Sequence, residues 1–300
     1  MTKGMAREII IPKDEEPKKL ENFLKKRFPI GYVRKLFRKK GVRLNGRRAG
    51  PTEMAMPGDR IQLFLAFEEK SGIAREQAPQ ALEPEVISED ENLLLLHKPA
   101  GMAVHEGKEI LRRHSLLGML ETAYQAKGTL PRLVHRLDRD TSGVLVVAKS
   151  GEMAAELLRR FEEGGVEKEY LALVVGRLRP REGKISLALP GREGKPVPAL
   201  TLYRVEKEFR GTSLVRVRTE TGRMHQIRLH FAKLGHPVVM DAQHGDFRFN
   251  RQFRKAHGLK RQFLHASSIA FAYKGKKQTW TAPLPEDLQR TVESLEREVR

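Results

Sequence analysis

The carboxylate of Asp138 stands in a run of fifteen residues, HRLDRDTSGVLVVAK (His135 to Lys149), with Arg136 two positions before it and Arg139 directly after it. Positive charge on both sides favours an ionised carboxylate. At this spacing the residue types suit a nucleophile or a general base rather than an acid. After the break at Pro131 comes a polar stretch carrying His135, Arg136, Asp138, Arg139, Asp140, Thr141 and Ser142, and Gly143 then opens the apolar run Val144 to Ala148. A polar loop feeding a buried strand is one way to hold a reactive group rigidly. The plain alternative is a surface ion pair between Asp138 and Arg136 or Arg139, worth about 1 kcal/mol or less.

The elements that must position this group alternate along the chain. Strand-like runs cover Leu93 to Leu96, Val144 to Ala148, Tyr170 to Val175, Leu202 to Glu206 and Leu214 to Thr219, and helical periodicity covers Leu116 to Gln125, Glu152 to Glu163 and His225 to Leu234. Strands in runs with interspersed helices predict an α+β domain over residues 89–300. Residues 12–70 read as a separate small module. Helical spacing recurs at Lys18 to Phe28 and Tyr32 to Lys40, the latter ending at Gly41; Val42 and Leu44 then lead into an Asn45-Gly46 turn, and Asp59 to Phe67 alternates as a returning strand. Between the two, residues 71–88 mix Pro, Gly, Ala, Gln and Glu without an apolar period, which predicts a flexible linker.

The 300 residues carry a formal net charge of +19, no cysteine and 39% hydrophobic residues. That suffices for a sizeable core and predicts a polyanionic partner, nucleic acid first. From Lys25 to Arg48 there are eleven Lys or Arg and no acidic residue. Arg34, Lys35, Arg38 and Lys39 share one side of a helix and Arg43, Arg47 and Arg48 follow on the hairpin, an arrangement suited to a phosphate backbone. No apolar run approaches the ~18 residues of a spanning helix, and Met1 to Ile11 lacks the apolar core of a signal peptide. The expectation is a soluble, cytoplasmic monomer. Without cysteine there is no disulfide, thiolate zinc site or cysteine nucleophile. His225, His230 and His236, five and six residues apart, miss the i, i+4 spacing of helix-borne metal ligands, so no metal is expected. A kinase-like reading of HRLDRD fails for want of a Gly-rich phosphate loop, a V-A-I-K lysine and D-F-G.

The fifteen-residue run resembles the HRLDxxTSGxLxxAK signature of the RluA-type pseudouridine synthases. Three further segments are similar to that family in the same order: LLLLHKPAGMAVH (Leu93 to His105), KEYLALVVG (Lys168 to Gly176) and TGRMHQIRLHFAKLGHPVVMDAQHGD (Thr221 to Asp246). The stretch from His244 to Phe263, beginning HGDFRFNRQF, and the N-terminal region look most like the branch that acts on the large ribosomal subunit. The resemblance implies a mixed, largely antiparallel catalytic sheet preceded by a small S4-like RNA-binding domain. It implies Asp138 as the catalytic carboxylate, Tyr170 as a ring against the uracil, and Arg228 as the cleft arginine that pairs with Asp138. Arg136 is implied to fill the RNA stack when the uridine is extruded, with His135 supporting the loop at the RNA-binding edge. Met224 departs from the Thr or Ser usual in its segment.

Isomerising a uridine breaks N1–C1′ and bonds C5 to C1′ without redox change, so no cofactor is required. One carboxylate can begin it by attacking C1′, by adding to C6 or by taking the 2′ proton, and the sequence does not choose among these. The substrate implied is 23S ribosomal RNA or a large-subunit precursor. The alternatives are transfer RNA, or a non-catalytic RNA-binding ribosome-assembly protein. The last is disfavoured because Asp138, Tyr170 and Arg228 are all present. The stretch Phe247 to Phe263 interleaves Phe with Arg and Lys; it reads either as an amphipathic surface helix or as an RNA-binding insertion at the rim of the cleft.

Overall fold

The computed structural model describes residues 7–12, 15–25, 27–28, 30–64, 83–106, 112–126, 128–191 and 195–298. The chain divides into two compact units, Met1–Gln80 and Ala81–Arg300.

In the first unit, strand β1 (Arg7–Ile10) is followed by helices α1 (Leu20–Lys25) and α2 (Ile30–Arg38), then by β2 (Val42–Leu44), β3 (Arg47–Arg48) and β4 (Arg60–Leu63). The sheet runs β1-β4-β2-β3 with every pair antiparallel. Leu20, Phe23 and Leu24 of α1 and Val33 and Leu36 of α2 pack on Val42, Ile61 and Leu63 in one core. Asn45 and Gly46 both take positive φ, +50° and +83°, the two-residue turn that matches strand twist. Three expectations shift. The module begins before residue 12, because β1 pairs along the whole of β4. The left-handed residue that ends α2 is Lys40 (φ +51°), one position before Gly41, whose N–H reaches back to the Leu36 carbonyl at 2.9 Å. The strand that returns directly from the Asn45-Gly46 turn is β3, while β4 pairs with the other edge of β2; residues 65–67 lie outside the described residues.

The second unit begins with β5 (Glu85–Glu89), which pairs with β6 (Leu93–Lys98). The expected linker of residues 71–88 is therefore corrected at its end, its first twelve residues lying outside those described. Strand β5 is at the sheet edge and shifts register between Val86 and Ser88, so its side chains do not alternate, and the signal that sequence periodicity relies on is lost. There follow α3 (Leu116–Gln125), β7 (Arg132–Leu133), β8 (Ser142–Ala148), α4 (Gly151–Glu162), β9 (Val166–Val175), β10 (Glu182–Ser186), β11 (Leu200–Phe209), β12 (Thr212–Thr219), α5 (Gln226–Lys233), α6 (Phe247–His257), β13 (Leu264–Tyr273), β14 (Lys276–Thr281) and α7 (Glu286–Arg297). Ten strands form one sheet in the order β10-β11-β12-β9-β13-β8-β6-β5, with β14 beside β13 and β7 beside β8. Only the short β8–β13 pairing is parallel, so the sheet is mixed and largely antiparallel. Every residue of β8 is buried because both its faces are covered: Leu145 and Val147 meet Leu116 and Leu120 of α3, while Val144 and Val146 meet Ala154 and Leu157 of α4. This explains an apolar run without alternation.

Candidate active site

Asp138 lies in the loop between β7 and β8, half-buried, at the floor of a cleft of about 770 Å³ within the second unit. His135, Arg136, Tyr170 and Arg228 line the same cleft. Residues separated by as many as 93 positions are thus brought to one place; Arg34, Lys35, Arg38, Lys39, Arg43, Arg47 and Arg48 lie in the first unit, all exposed.

The loop is fixed from several sides. Lys98, fully buried at the end of β6, gives its ammonium to the carbonyls of Pro99, Met102 and Arg139 at 2.8, 2.9 and 3.0 Å. Three donors meet three acceptors, and the residue after Asp138 is pinned to the turn after β6. Burial pulls the Lys98 pKa down to about 7, against the attraction of Asp140. His135 accepts the Val146 N–H on Nε2 at 2.9 Å, and burial, then Lys168, hold its pKa down to about 3. Its ring is a neutral, partly buried strut between the loop and β8 at the wall of the cleft. Thr141 accepts from Gln262 at 2.7 Å and Ser142 meets His265 Nδ1 at 3.0 Å.

The neighbours in sequence do not neutralise Asp138. Arg139 turns away to the Gly101 carbonyl at 2.9 Å, and Arg136 is exposed at the cleft wall. The partner is Arg228 of α5, whose Nη1 donates to Asp138 Oδ2 at 2.9 Å, the ion pair that the resemblance implied. Arg228 is itself clamped by Asp241, which takes Nε on Oδ2 at 2.7 Å and Nη2 on Oδ1 at 2.8 Å, while Gln243 Oε1 takes Nη2 at 3.1 Å. Asp241 is fully buried and its Oδ1 also accepts the N–H groups of Gln243 and His244. Burial raises its pKa, but the Arg228 pair and those two N–H groups outweigh this and hold it below the ordinary carboxylate value. Burial likewise opposes the charge of Arg228, and its bonds to Asp241 and Asp138 overcome it.

Asp138 Oδ1 accepts no hydrogen bond from the described side chains. His225 Nε2 stands 3.8 Å from it. His225 precedes α5 in the left-handed region (φ +51°) and its Nδ1 meets His244 Nε2 at 3.0 Å. Burial lowers the His225 pKa against the pull of Asp138. The segment before α5 is tied down by Gln226, which accepts from Thr221 Oγ1 and the Arg223 N–H and donates to Leu200 O and Thr201 Oγ1. Tyr170 follows a register shift between β9 and β13 at Glu169/Tyr170. A bulge of this kind re-aims a side chain, and here Tyr170 lines the cleft while packing against two of the cores. Burial first and the Asp138 charge second push its pKa up to about 12, a bond with Thr219 acting the other way.

Asp241, Gln226, His244 and Lys98 were not singled out from sequence. Their signal was present, since all four fall inside the segments that resemble the family, but nothing in their spacing says which side chain they hold. Of the three histidines weighed as ligands, His230 meets Thr201 Oγ1 and the Leu187 carbonyl, and His236 the Val175 carbonyl. No group of three or more metal-ligating side chains occurs among the described residues. No helix among them is long and apolar enough to cross a membrane.

The family model described as RNA pseudouridylate synthase matches residues 92–233. The chain is 34% identical over 312 aligned positions to "Ribosomal large subunit pseudouridine synthase C" of Escherichia coli (strain K12), covering 96% of each protein, and 34% identical with the same coverage to the protein of that name from Vibrio vulnificus. Among solved structures, "Human RNA Pseudouridylate Synthase Domain Containing 1" aligns with a TM-score of 0.54 at 26% identity, over 72% of this chain and 96% of that one. "Human RNA Pseudouridylate Synthase Domain Containing 4" aligns with a TM-score of 0.60 at 23% identity, over 70% and 92%, a likeness of fold. With a sheet of this topology, a cleft of this make-up and relatives matching almost end to end, the chain belongs to the RluA-type family of RNA pseudouridine synthases.

Proposed function

We propose that this enzyme isomerises specific uridines of large-subunit (23S) ribosomal RNA, or of its precursor, with Asp138 as the reacting carboxylate. The observation that carries this is a carboxylate with one oxygen held by a buried Arg228–Asp241 clamp and the other free toward a cleft walled by Tyr170. The fixed oxygen sets the orientation of the group. Oδ1 is left to meet the extruded nucleotide at C1′, at C6 or at the 2′ proton. The atoms balance without a cofactor: N1–C1′ is exchanged for C5–C1′, C5 loses a proton and N1 gains one. Tyr170, kept neutral by its raised pKa, offers a face to the uracil. Arg136, exposed at the wall of the same cleft, offers a side chain for the gap left in the RNA stack, which offsets an extrusion cost of roughly a few kcal/mol.

The first unit is the RNA-docking module in this reading, S4-like in its order of helices and hairpin. Arg34, Lys35, Arg38 and Lys39 are exposed on α2 while Val33 and Leu36 face the core. In the hairpin Arg43 stands directly opposite Arg48. Like charges across a strand pair destabilise it, and an RNA phosphate between them removes that cost. The relatives carry the ribosomal substrate in their names, and the enzyme works as a cytoplasmic monomer.

The deciding experiment is pseudouridine mapping, by carbodiimide labelling and primer extension, on ribosomal RNA treated with the wild-type protein or with Asp138→Asn. New stops with the wild type alone are expected, with RNA affinity of the variant within a few fold. Retained turnover in Asp138→Asn overturns the assignment of the carboxylate, and stops confined to transfer RNA overturn the substrate.

A further inference from the structure

We propose that α6 is a second RNA-binding surface, in the catalytic unit itself, which takes the RNA strand continuous with the target uridine. The proposal rests on the reading that this chain modifies RNA, and it assigns the contact to one face of one helix.

Helix α6 has two opposite faces. Phe253 and Asn250 are buried and Phe249 packs against the same core. On the other side Phe247, Arg248, Arg251, Gln252, Arg254 and Lys255 are exposed. At 3.6 residues per turn these six fall on one contiguous arc. Arg254 is turned onto the Lys260 carbonyl at 3.4 Å. Arg248, Arg251 and Lys255 have no carboxylate partner among the described residues, and no acidic residue occurs anywhere from Phe247 to Pro285.

Many cations elsewhere in the catalytic unit are paired. On α4, Arg159 pairs with Glu163 and Arg160 with Glu156; on α7, Arg290 pairs with Glu286. Arg179 and Arg181, just before β10, share Glu208 of β11, and Arg216 of β12 meets Glu206. Like charges three and four residues apart destabilise a helix, and α6 holds such neighbours at Arg248/Arg251, Arg251/Arg254 and Arg251/Lys255. A polyanion lying along the face relieves them all. The three unpaired cations extend along roughly 10 Å of the axis, suited to successive phosphates. Phe247, 62% exposed at the end of the same arc, is a platform on which a base stacks whatever its identity.

The helix is also locked in register with the reacting group. Asn250 reaches from its buried face to accept the Met240 N–H at 2.8 Å and to donate to the Asp241 carbonyl at 2.9 Å. Asp241 is the residue that clamps Arg228 onto Asp138. At the N-terminal end, Asp246 caps the helix through the N–H groups of Arg248 and Phe249, and His244 touches His225 of the cleft. RNA seated on α6 is therefore held at a fixed offset from Asp138.

The test compares the full-length wild type with the triple variant Arg248→Gln, Arg251→Gln, Lys255→Gln and with Phe247→Ala, after thermal melting shows each to be folded. A control replaces three exposed cations elsewhere in the unit, Lys184, Arg210 and Lys276, by Gln. Binding to a large-subunit ribosomal RNA transcript is measured across a salt series, and pseudouridine formation is measured on the same transcript. For the triple variant we expect the slope of log affinity against log salt to shrink by about 2, since each phosphate contact on a single strand contributes roughly 0.7. KM should rise tenfold or more with kcat within twofold, and Phe247→Ala should raise KM about fivefold or more. An unchanged slope, an equal loss in the control, or a loss of kcat with binding intact overturns the proposal. If no RNA is modified by the wild type but the triple variant alone weakens and flattens binding, the surface stands and the catalytic reading falls.

Discussion

A carboxylate that must react cannot be fully satisfied, and one that must be aimed cannot be left loose. With Asp138 as the proposed reacting group, the conflict is divided between two oxygens: Oδ2 is fixed by Arg228, and Oδ1 is left toward the cleft. What keeps Arg228 in place is Asp241, through two parallel bonds of 2.7 and 2.8 Å. An arginine fork fits a carboxylate in this bidentate way and a lysine does not. Asp241→Asn should therefore lower kcat tenfold or more while RNA affinity stays within about threefold. It should also destabilise the unit by about 3 kcal/mol, the lower end of the cost of removing one member of a buried pair, because Asp138 still partners Arg228. Single-turnover rates and thermal melting would check both, and a variant with wild-type rate would remove Asp241 from the positioning of Asp138.

The entry to β8 carries the loop of Asp138, and its glycine is required by close approach. Gly143 has φ +125°, and a Cβ there would stand 2.1 Å from the Ala266 carbonyl oxygen of β13. Gly143→Ala cannot be accommodated without parting β8 from β13; the expected outcome is loss of soluble protein or destabilisation beyond about 4 kcal/mol in urea unfolding. Histidines lock the same strands. Burial holds His135 at about 3 and His265 at about 4, each from an ordinary value of 6.5. Below pH 6.5 the unfolded chain binds protons on these rings that the folded protein refuses. Their contribution to stability is whole above pH 6.5 and is lost as pH falls toward 4. The urea midpoint should drop between pH 7 and pH 5, and His135→Gln, though less stable at pH 7, should show a shallower drop. A midpoint independent of pH over that interval would show that these rings do not titrate as described.

Over the whole molecule the charge is unevenly spent. The first unit concentrates eleven cations between Lys25 and Arg48 with no acidic residue among them, whereas most cations described on the sheet and on α4 and α7 of the second unit are paired with carboxylates. Deleting residues 1 to 70 should weaken binding to ribosomal RNA at least tenfold near 0.1 M salt and make it distinctly less salt-dependent, because phosphate contacts set that slope. Filter binding across a salt series checks it; an unchanged slope would take the first unit out of RNA recognition.

The order of chemistry was legible in the chain itself. Local pattern marked the polar loop and strand of His135 to Lys149, whereas the arginine at 228 and the tyrosine at 170 could be marked only because their segments resemble one family. The two helices and the turn of the first unit were legible too, since amphipathic spacing and Asn-Gly are local signals. Strand β5 was missed because an irregular edge strand has no period to read. Tertiary structure alone decided the partners. Arg136 and Arg139 are nearest to Asp138 along the chain, yet Arg228, ninety positions away, holds it. Asp241 entered the site because the segment after α5 is tied to β9, where the Val239 N–H reaches the Leu173 carbonyl, and comes back against Arg228. An electrostatic pairing depends on distances between side chains, and sequence separation constrains those distances only within a turn or a hairpin; beyond that, the fold sets them.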